Sequence, residues 1–302
     1  MRGVQEKKRK KGNKGVIIFL MVIVLVIVIS GVAVLLLNQI HITNELATQT
    51  VHDLAKTTIQ NNEEIAQAVR APKSVQATVP IFMYHFLLDD YGEYLDVENF
   101  MKPSTFEEQL KYITENGYET IFMNEIGSLE NYTKPVCLTV DDVFVYFYDN
   151  GFPLIKKYNV KVTLNIIYDY INGENYLTTE QIQEMLDSGL VSIESHTRTH
   201  QELTTLTEEE QRNEIIESKN GLEKDFNVKL STLCYPVGDY NNNVIEIAKE
   251  AGYQYGIAMT GGTYYSNIHT NQYAIPRIYA NRSMPLSTFA SYLSEASVEV
   301  EW

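Results

Sequence analysis

The sequence predicts an α/β domain built on a parallel sheet, carried behind one membrane-spanning helix and a helical stalk. Three observations lead there. From residue 79 to about residue 259, short apolar runs alternate with segments of helical apolar spacing. Residues 16–37 are an uncharged, strongly apolar run. Residues 38–78 between the two are polar, with apolar residues only at helical intervals. Strands alternating with helices are satisfied by parallel strands joined through crossover helices, as either a barrel or a doubly wound sheet.

The N-terminal elements follow from charge and length. Residues 1–15 contain Arg2, Lys7, Lys8, Arg9, Lys10, Lys11 and Lys14 against one acid, Glu6. A basic tail directly before an apolar run stays in the cytoplasm. A helix of about 20 residues spans the hydrocarbon core of a bilayer. No small-x-small cleavage site follows the run, so an uncleaved anchor is expected rather than a signal peptide. In the stalk, Ile40, Leu46, Val51, Leu54, Ile59, Ile65 and Val69 mark a helix that ends near Ala71-Pro72. Their spacing is too irregular for a coiled coil, so the stalk specifies no oligomeric state. His41 and His52 on it read as solvated surface residues. The expected divisions are a basic tail (1–15), an anchor (16–37), an extracellular stalk (38–78) and a folded domain (79–302).

Within the domain, residues 80–84 read as a strand. Residues 105–116 read as a helix with Ser104 or Thr105 at its cap and Gly117 as its stop. Strand 136–140, helix 152–158 and strand 160–167 follow. Helix 179–188 ends at Gly189 and leads to strand 191–194. A long helix, 207–226, opens with Glu208, Glu209 and Glu210, which complement its dipole. Strand 230–235, helix 244–251 (stopped by Gly252) and strand 255–259 complete the pattern.

The net charge of −15 includes the basic tail, so the rest of the chain is more acidic still. A body of that charge repels phosphate backbones, which excludes a nucleic-acid partner. The two cysteines, Cys137 and Cys234, are too few for a disulfide scaffold. Each lies in an apolar strand and reads as a buried free thiol, with a single bridge as the alternative. No Gly-x-Ser-x-Gly occurs, which disfavours serine-hydrolase chemistry.

Three motifs fall at carboxyl ends of expected strands, where α/β barrels place active sites. In Thr139-Val140-Asp141-Asp142, adjacent carboxylates require a compensating cation or partner. In Ser195-His196-Thr197-Arg198-Thr199-His200, two of the six histidines stand at i and i+4 and can converge on one metal. In Cys234-Tyr235-Pro236-Val237-Gly238-Asp239-Tyr240-Asn241, Pro and Gly shape a turn after a strand.

Together these motifs resemble those of the polysaccharide deacetylase family (NodB homology, carbohydrate esterase 4). Pro80-Ile81-Phe82-Met83-Tyr84-His85 and Ala274-Ile275-Pro276-Arg277-Ile278 are similar to segments of its poly-N-acetylglucosamine deacetylase subgroup. The resemblance implies a distorted (β/α) barrel and removal of N-acetyl groups from an extracellular polysaccharide. It implies a divalent metal, zinc or else cobalt or another ion, on Asp142, His196 and His200. It makes Asp141 the general base, held ionised by Arg277. The backbone N–H of Tyr235 would stabilise the oxyanion, and His85 would protonate the leaving amine. His269 is the competing acid but sits in a polar loop without a matching motif, and no late Leu-x-His occurs. The substrate would be peptidoglycan or an exopolysaccharide, outside a cell with a Gram-positive type of envelope.

The chain departs from the family pattern at Val143, where the family has Gly, and at Val237, where Tyr is common. A β-branched residue at 143 is expected to alter the loop and narrow the site. The run Phe144, Val145, Tyr146, Phe147, Tyr148 is unusually apolar for an exposed loop. The alternative these departures support is a catalytically impaired carbohydrate-binding surface protein that keeps the fold. A purely structural anchor, with the stalk as its interaction element, is the third reading.

Overall fold

The computed structural model describes residues 14–68, 74–89, 98–269 and 271–301. Most of the basic tail and the stalk's end at Ala71-Pro72 lie outside the described residues. The chain divides into two compact units, Met1–Ala71 and Pro72–Trp302. The described residues of the first form one helix, α1 (Lys14–Ala68), continuous through the expected anchor and most of the expected stalk. Its stretch Phe19–Thr58 is long and apolar enough to cross a membrane, by length and composition.

The second unit begins with β1 (Ser74–Val79), β2 (Ile81–Tyr84), β3 (Phe86–Leu87) and β4 (Phe100–Met101). Then come α2 (Pro103–Glu115), β5 (Glu119–Ile121), β6 (Pro135–Val140), α3 (Phe152–Tyr158), β7 (Val162–Ile166), α4 (Thr179–Asp187) and β8 (Val191–Ser195). The long helix has three parts: α5 (Glu208–Arg212), a π-turn (Asn213–Glu217) and α6 (Ser218–Phe226). The unit closes with β9 (Thr232–Cys234), α7 (Asn242–Glu250), β10 (Tyr255–Ile257), β11 (Tyr264–Tyr265), β12 (Ile278–Tyr279), α8 (Leu286–Leu293) and β13 (Ser297–Glu301).

The main sheet runs β10-β9-β8-β7-β6-β2-β12, and every pairing in it is parallel. Strand β6 pairs with β5 over its first half and with β7 over its second. The segment after β11 draws the two edges together: Ile275 bridges to Ile257 of β10, and three residues later β12 pairs with β2. The sheet is therefore curled into a distorted barrel, with Arg277 at the seam. Strands β6 and β7 are buried along their whole length, as a sheet covered on both faces requires. Strands β8 and β9 share only the Ser195–Leu233 pairing. The buried Glu194 carboxylate compensates by accepting bonds from the Ser231 N–H and hydroxyl and from the Thr232 N–H, at 2.9, 2.8 and 2.8 Å. This staple fixes the strand that delivers His196.

The structure corrects several boundaries. Helix α2 starts at Pro103, with Lys102 at the cap and no side-chain cap bond, instead of at Ser104 or Thr105. Proline's fixed φ and missing N–H suit a first helical position. Residues 74–78, expected in the stalk, form most of β1, which joins a three-stranded sheet with β11 and β13. Cys137 and Cys234 are buried free thiols.

Candidate active site

Residues at the carboxyl ends of the sheet form one cleft, lined by His85, Asn99, Asp141, Asp142, His196, His200, Tyr235, Val237 and Met259. Six of the seven residues singled out in the sequence are thus brought together. The seventh, Arg277, stands behind Asp141 and is 1% exposed.

Asp141 directly follows β6 and is held on every side. Arg277 Nη1 and Nη2 donate to Oδ1 and Oδ2, each at 2.8 Å, in a bidentate pair. Asn165 Nδ2 donates to Oδ1 at 2.7 Å, and the Cys234 thiol lies 3.6 Å from Oδ2. Arg277 is itself fixed by the Ala258 carbonyl and the Thr139 hydroxyl, at 3.2 and 3.1 Å. Burial alone would push the Asp141 carboxyl up. The charge of Arg277, then that of His196, outweighs it and holds Asp141 well below the usual carboxylate range. Oδ1 thus accepts from Arg277 and Asn165, and Oδ2 from Arg277 and, at the longer 3.6 Å, from the Cys234 thiol.

Asp142, one residue on, turns the other way because its backbone is left-handed, with φ 63°. Its Oδ1 lies 3.5 Å from His196 Nε2 and 3.3 Å from His200 Nε2. That oxygen is buried and has no hydrogen-bond partner. His196 Nδ1 lies 3.0 Å from the Cys234 carbonyl, an acceptor only, so Nδ1 carries the proton and Nε2 is left to bind. The three ligand atoms lie within 4.8 Å of one another. An unpartnered carboxylate oxygen facing two imidazole nitrogens suits a divalent cation with an open coordination position. Burial opposes ionisation of Asp142, but the closeness of His196, then the charges of His85 and His200, lowers its pKa. Burial, then the charge of His196, lowers that of His200.

His85 follows β2. Its ring packs edge-on against Tyr279, at 6.0 Å between centroids, and its buried Nδ1 has no partner. Burial holds the ring below its usual pKa, against the pull of Asp141 and Asp142. His269, the competing acid, does not line this cleft; its Nδ1 accepts the Tyr265 N–H at 2.9 Å. Tyr235 lines the cleft, but its N–H donates to the Ile257 carbonyl at 3.2 Å. That donor can reach an oxyanion only as a shared bond or after letting go of β10.

The third motif is mostly scaffold. Asn241 caps α7 by accepting the Val244 N–H at 3.0 Å. Asp239 accepts the Thr204 hydroxyl. Gly238 has φ 72°, and a Cβ there would meet Met259 Cβ at 2.6 Å and its backbone nitrogen at 2.7 Å. Val237, also left-handed at φ 51°, presents an exposed side chain to the cleft.

Val143 does not narrow the site. It adopts φ 43°, and its side chain is 2% exposed, packed beside Asp142 among Ile166, Tyr170, Tyr176, Leu177 and Ile182, and it does not line the cleft itself. The aromatic run after it is stacked: Phe144 lies on Phe86 at 4.3 Å and on Tyr176 at 4.5 Å between centroids. Asn165 was missed in the sequence reading. Its signal was a lone amide in the apolar strand Val162–Ile166.

Residues 129–256 match the family model described as polysaccharide deacetylase. YxkH of Bacillus subtilis, which bears a polysaccharide deacetylase name, is 34% identical over 222 residues, covering 72% of this chain and 76% of that protein. The chain belongs to the polysaccharide deacetylase family, whose members are hydrolases. The poly-beta-1,6-N-acetyl-D-glucosamine N-deacetylase of Staphylococcus aureus is 26% identical over 201 residues, 61% of this chain and 69% of that one. Among solved structures, the Streptococcus pyogenes deacetylase PplD, in complex with acetate, superposes with a TM-score of 0.67 at 27% identity, over 74% of this chain and 99% of that one. BC0361, a polysaccharide deacetylase from Bacillus cereus, gives 0.68 at 28% identity, over 72% and 69%.

Proposed function

We propose that this protein removes N-acetyl groups from an N-acetylglucosamine polysaccharide outside the cell, while anchored in the membrane by α1. The observation that carries the reading is the juxtaposition of two adjacent carboxylates with opposite employment. Asp142 faces two imidazoles, as a metal ligand would. Asp141 is locked ionised by a bidentate arginine, as a base would be. A binding protein has no use for the second arrangement. Val143 does not line the cleft, which weakens the main ground for the impaired, sugar-binding alternative. The S. aureus relative supports a poly-N-acetylglucosamine substrate.

Asp142, His196 and His200 would hold the cation, with zinc the expected ion. When bound, such a cation supplies Lewis-acid charge that acidifies a water and draws on an amide carbonyl. Asp141 takes the proton of the attacking water, while Arg277 and Asn165 keep the carboxylate oriented. His85, with its buried Nδ1 unpartnered, faces the cleft, and its protonated form would supply the proton that the leaving amine collects. Val237 and Met259 give the entrance an apolar lip suited to the carbon face of a sugar.

The test is acetate release from N-acetylglucosamine oligomers by the full chain in detergent, stripped of metal and then supplied with zinc or cobalt. Release should require the metal. Asp141→Asn, which removes the base, should lower it at least about a hundredfold. A folded, metal-loaded protein that releases no acetate from any acetylated glycan would sink the proposal.

A further inference from the structure

The loop that carries both imidazoles is strained. Thr197 and His200 have φ of 63° and 61°. Thr197, being β-branched, does not readily take the left-handed region, so the surroundings must hold it there. One side chain does most of this. Glu214 Oε2 accepts the N–H of Arg198 at 3.0 Å and that of Thr199 at 2.8 Å, and its Oε1 accepts the Thr199 hydroxyl at 2.6 Å. The carboxylate thus collects three bonds from the residues lying between the two left-handed positions. Glu214 is 5% exposed, in the π-turn that interrupts the long helix between α5 and α6. Such turns are rare and shift the register of the side chains that follow. Arg198 reinforces the hold with Nη1 on Asn213 at 2.8 Å and Nε on Asp169 at 2.9 Å.

We propose that Glu214 is a positioning residue of the cation site: it clamps the loop so that His196 and His200 present Nε2 to Asp142 together, and it thereby sets the affinity for the metal. This rests on the metal reading above. The hydrogen-bond geometry also dictates how substitutions should behave. Glutamine preserves every bond, because its oxygen can accept both N–H groups while its amide donates to the Thr199 hydroxyl, which can reverse its role. Alanine removes all three. Thr199→Val removes only the hydroxyl bond.

Zinc affinity of the full chain in detergent, measured by competition with a chromophoric chelator, would be compared for wild type, Glu214→Gln, Glu214→Ala and Thr199→Val. Urea unfolding of each metal-free protein would be followed in parallel. Partners of metal ligands typically contribute about 10- to 100-fold in affinity. Glu214→Ala should weaken zinc binding by that factor, Thr199→Val by a few fold, and Glu214→Gln by less than about threefold. If Glu214→Ala fails to fold, Thr199→Val decides the matter: weaker binding with an unchanged metal-free midpoint supports the clamp, and unchanged binding refutes it. Wild-type affinity in Glu214→Ala, with only its metal-free stability lowered, would reduce Glu214 to ordinary scaffold and leave the metal reading intact. A wild-type protein that does not bind zinc overturns both.

Discussion

Val143 combines two opposing terms at one position. A β-branched residue at φ 43° carries strain of about 1–3 kcal/mol. Its buried side chain returns about 1.5–3 kcal/mol of apolar burial. The two nearly cancel, which explains how a valine survives where the family has glycine. Val143→Ala should lose the packing and keep most of the strain, whereas Val143→Gly loses slightly more packing and sheds the strain. Glycine should therefore be at least as stable as alanine here, the reverse of the order in regular structure, where glycine is worse by about 0.5–1 kcal/mol. Urea midpoints of the two variants check this, and a clearly lower midpoint for glycine would show that the strain is absent. The candidate metal ligands and base were legible in the sequence because their chemistry depends on residue type and short spacing. The direction in which Val143 points was not, since it depends on which side of β6 has room.

At the scale of elements, Glu125 ties three segments together. Its carboxylate accepts the Phe122 N–H at 2.7 Å, the Tyr132 hydroxyl at 2.9 Å, and both an ion pair and hydrogen bonds from Lys161, just before β7. Burial would raise its pKa, but the Lys161, Phe122 and Tyr132 bonds outweigh this and lower it. A carboxyl with a lowered folded pKa contributes stability that is present above its unfolded value, about 4.5, and is lost as pH falls through the folded value. Partial exposure limits the gain to about 1 kcal/mol. Glu125→Gln should therefore melt a few degrees below wild type at pH 7, and the gap should shrink as pH is lowered towards 3. A gap that stays constant with pH would show that the carboxylate's charge is not what matters. Helix stops at Gly117, Gly189 and Gly252 were readable because all three glycines adopt positive φ. The π-turn in the long helix was not readable. Its apolar spacing is continuous, so nothing local marks the break.

For the folded unit as a whole, the small sheet β11-β1-β13 changes where the domain begins. Strand β1 pairs with β13 over five positions and with β11 over two, and buries Ala77 and Val79. A chain starting at Pro72 should therefore be markedly more stable than one starting at Pro80, which lacks β1 and leaves two strand edges open. Equal melting temperatures for the two would show that β1 contributes nothing. Residues 74–78 read as stalk in the sequence because five alternating polar and apolar residues are too few to separate the end of an exposed helix from a short strand. Their partners lie some 190 to 230 positions away, where no local pattern can reveal them.

His85 and Arg277 entered only through the family resemblance, but residue chemistry and local periodicity pointed to the α/β alternation, the long apolar helix, buried cysteines, and the Asp141-Asp142 and His196/His200 motifs. These depend on side-chain type and near neighbours, which a linear string preserves. Tertiary structure alone decided the rest. It closed the curled sheet at the Arg277 seam, turned Asp142 and Asp141 in opposite directions, engaged the Tyr235 N–H with β10, and put Asn165 and Glu214 behind the site. Each of these depends on which distant backbone happens to lie within hydrogen-bond reach, and that is set only when the whole sheet curls.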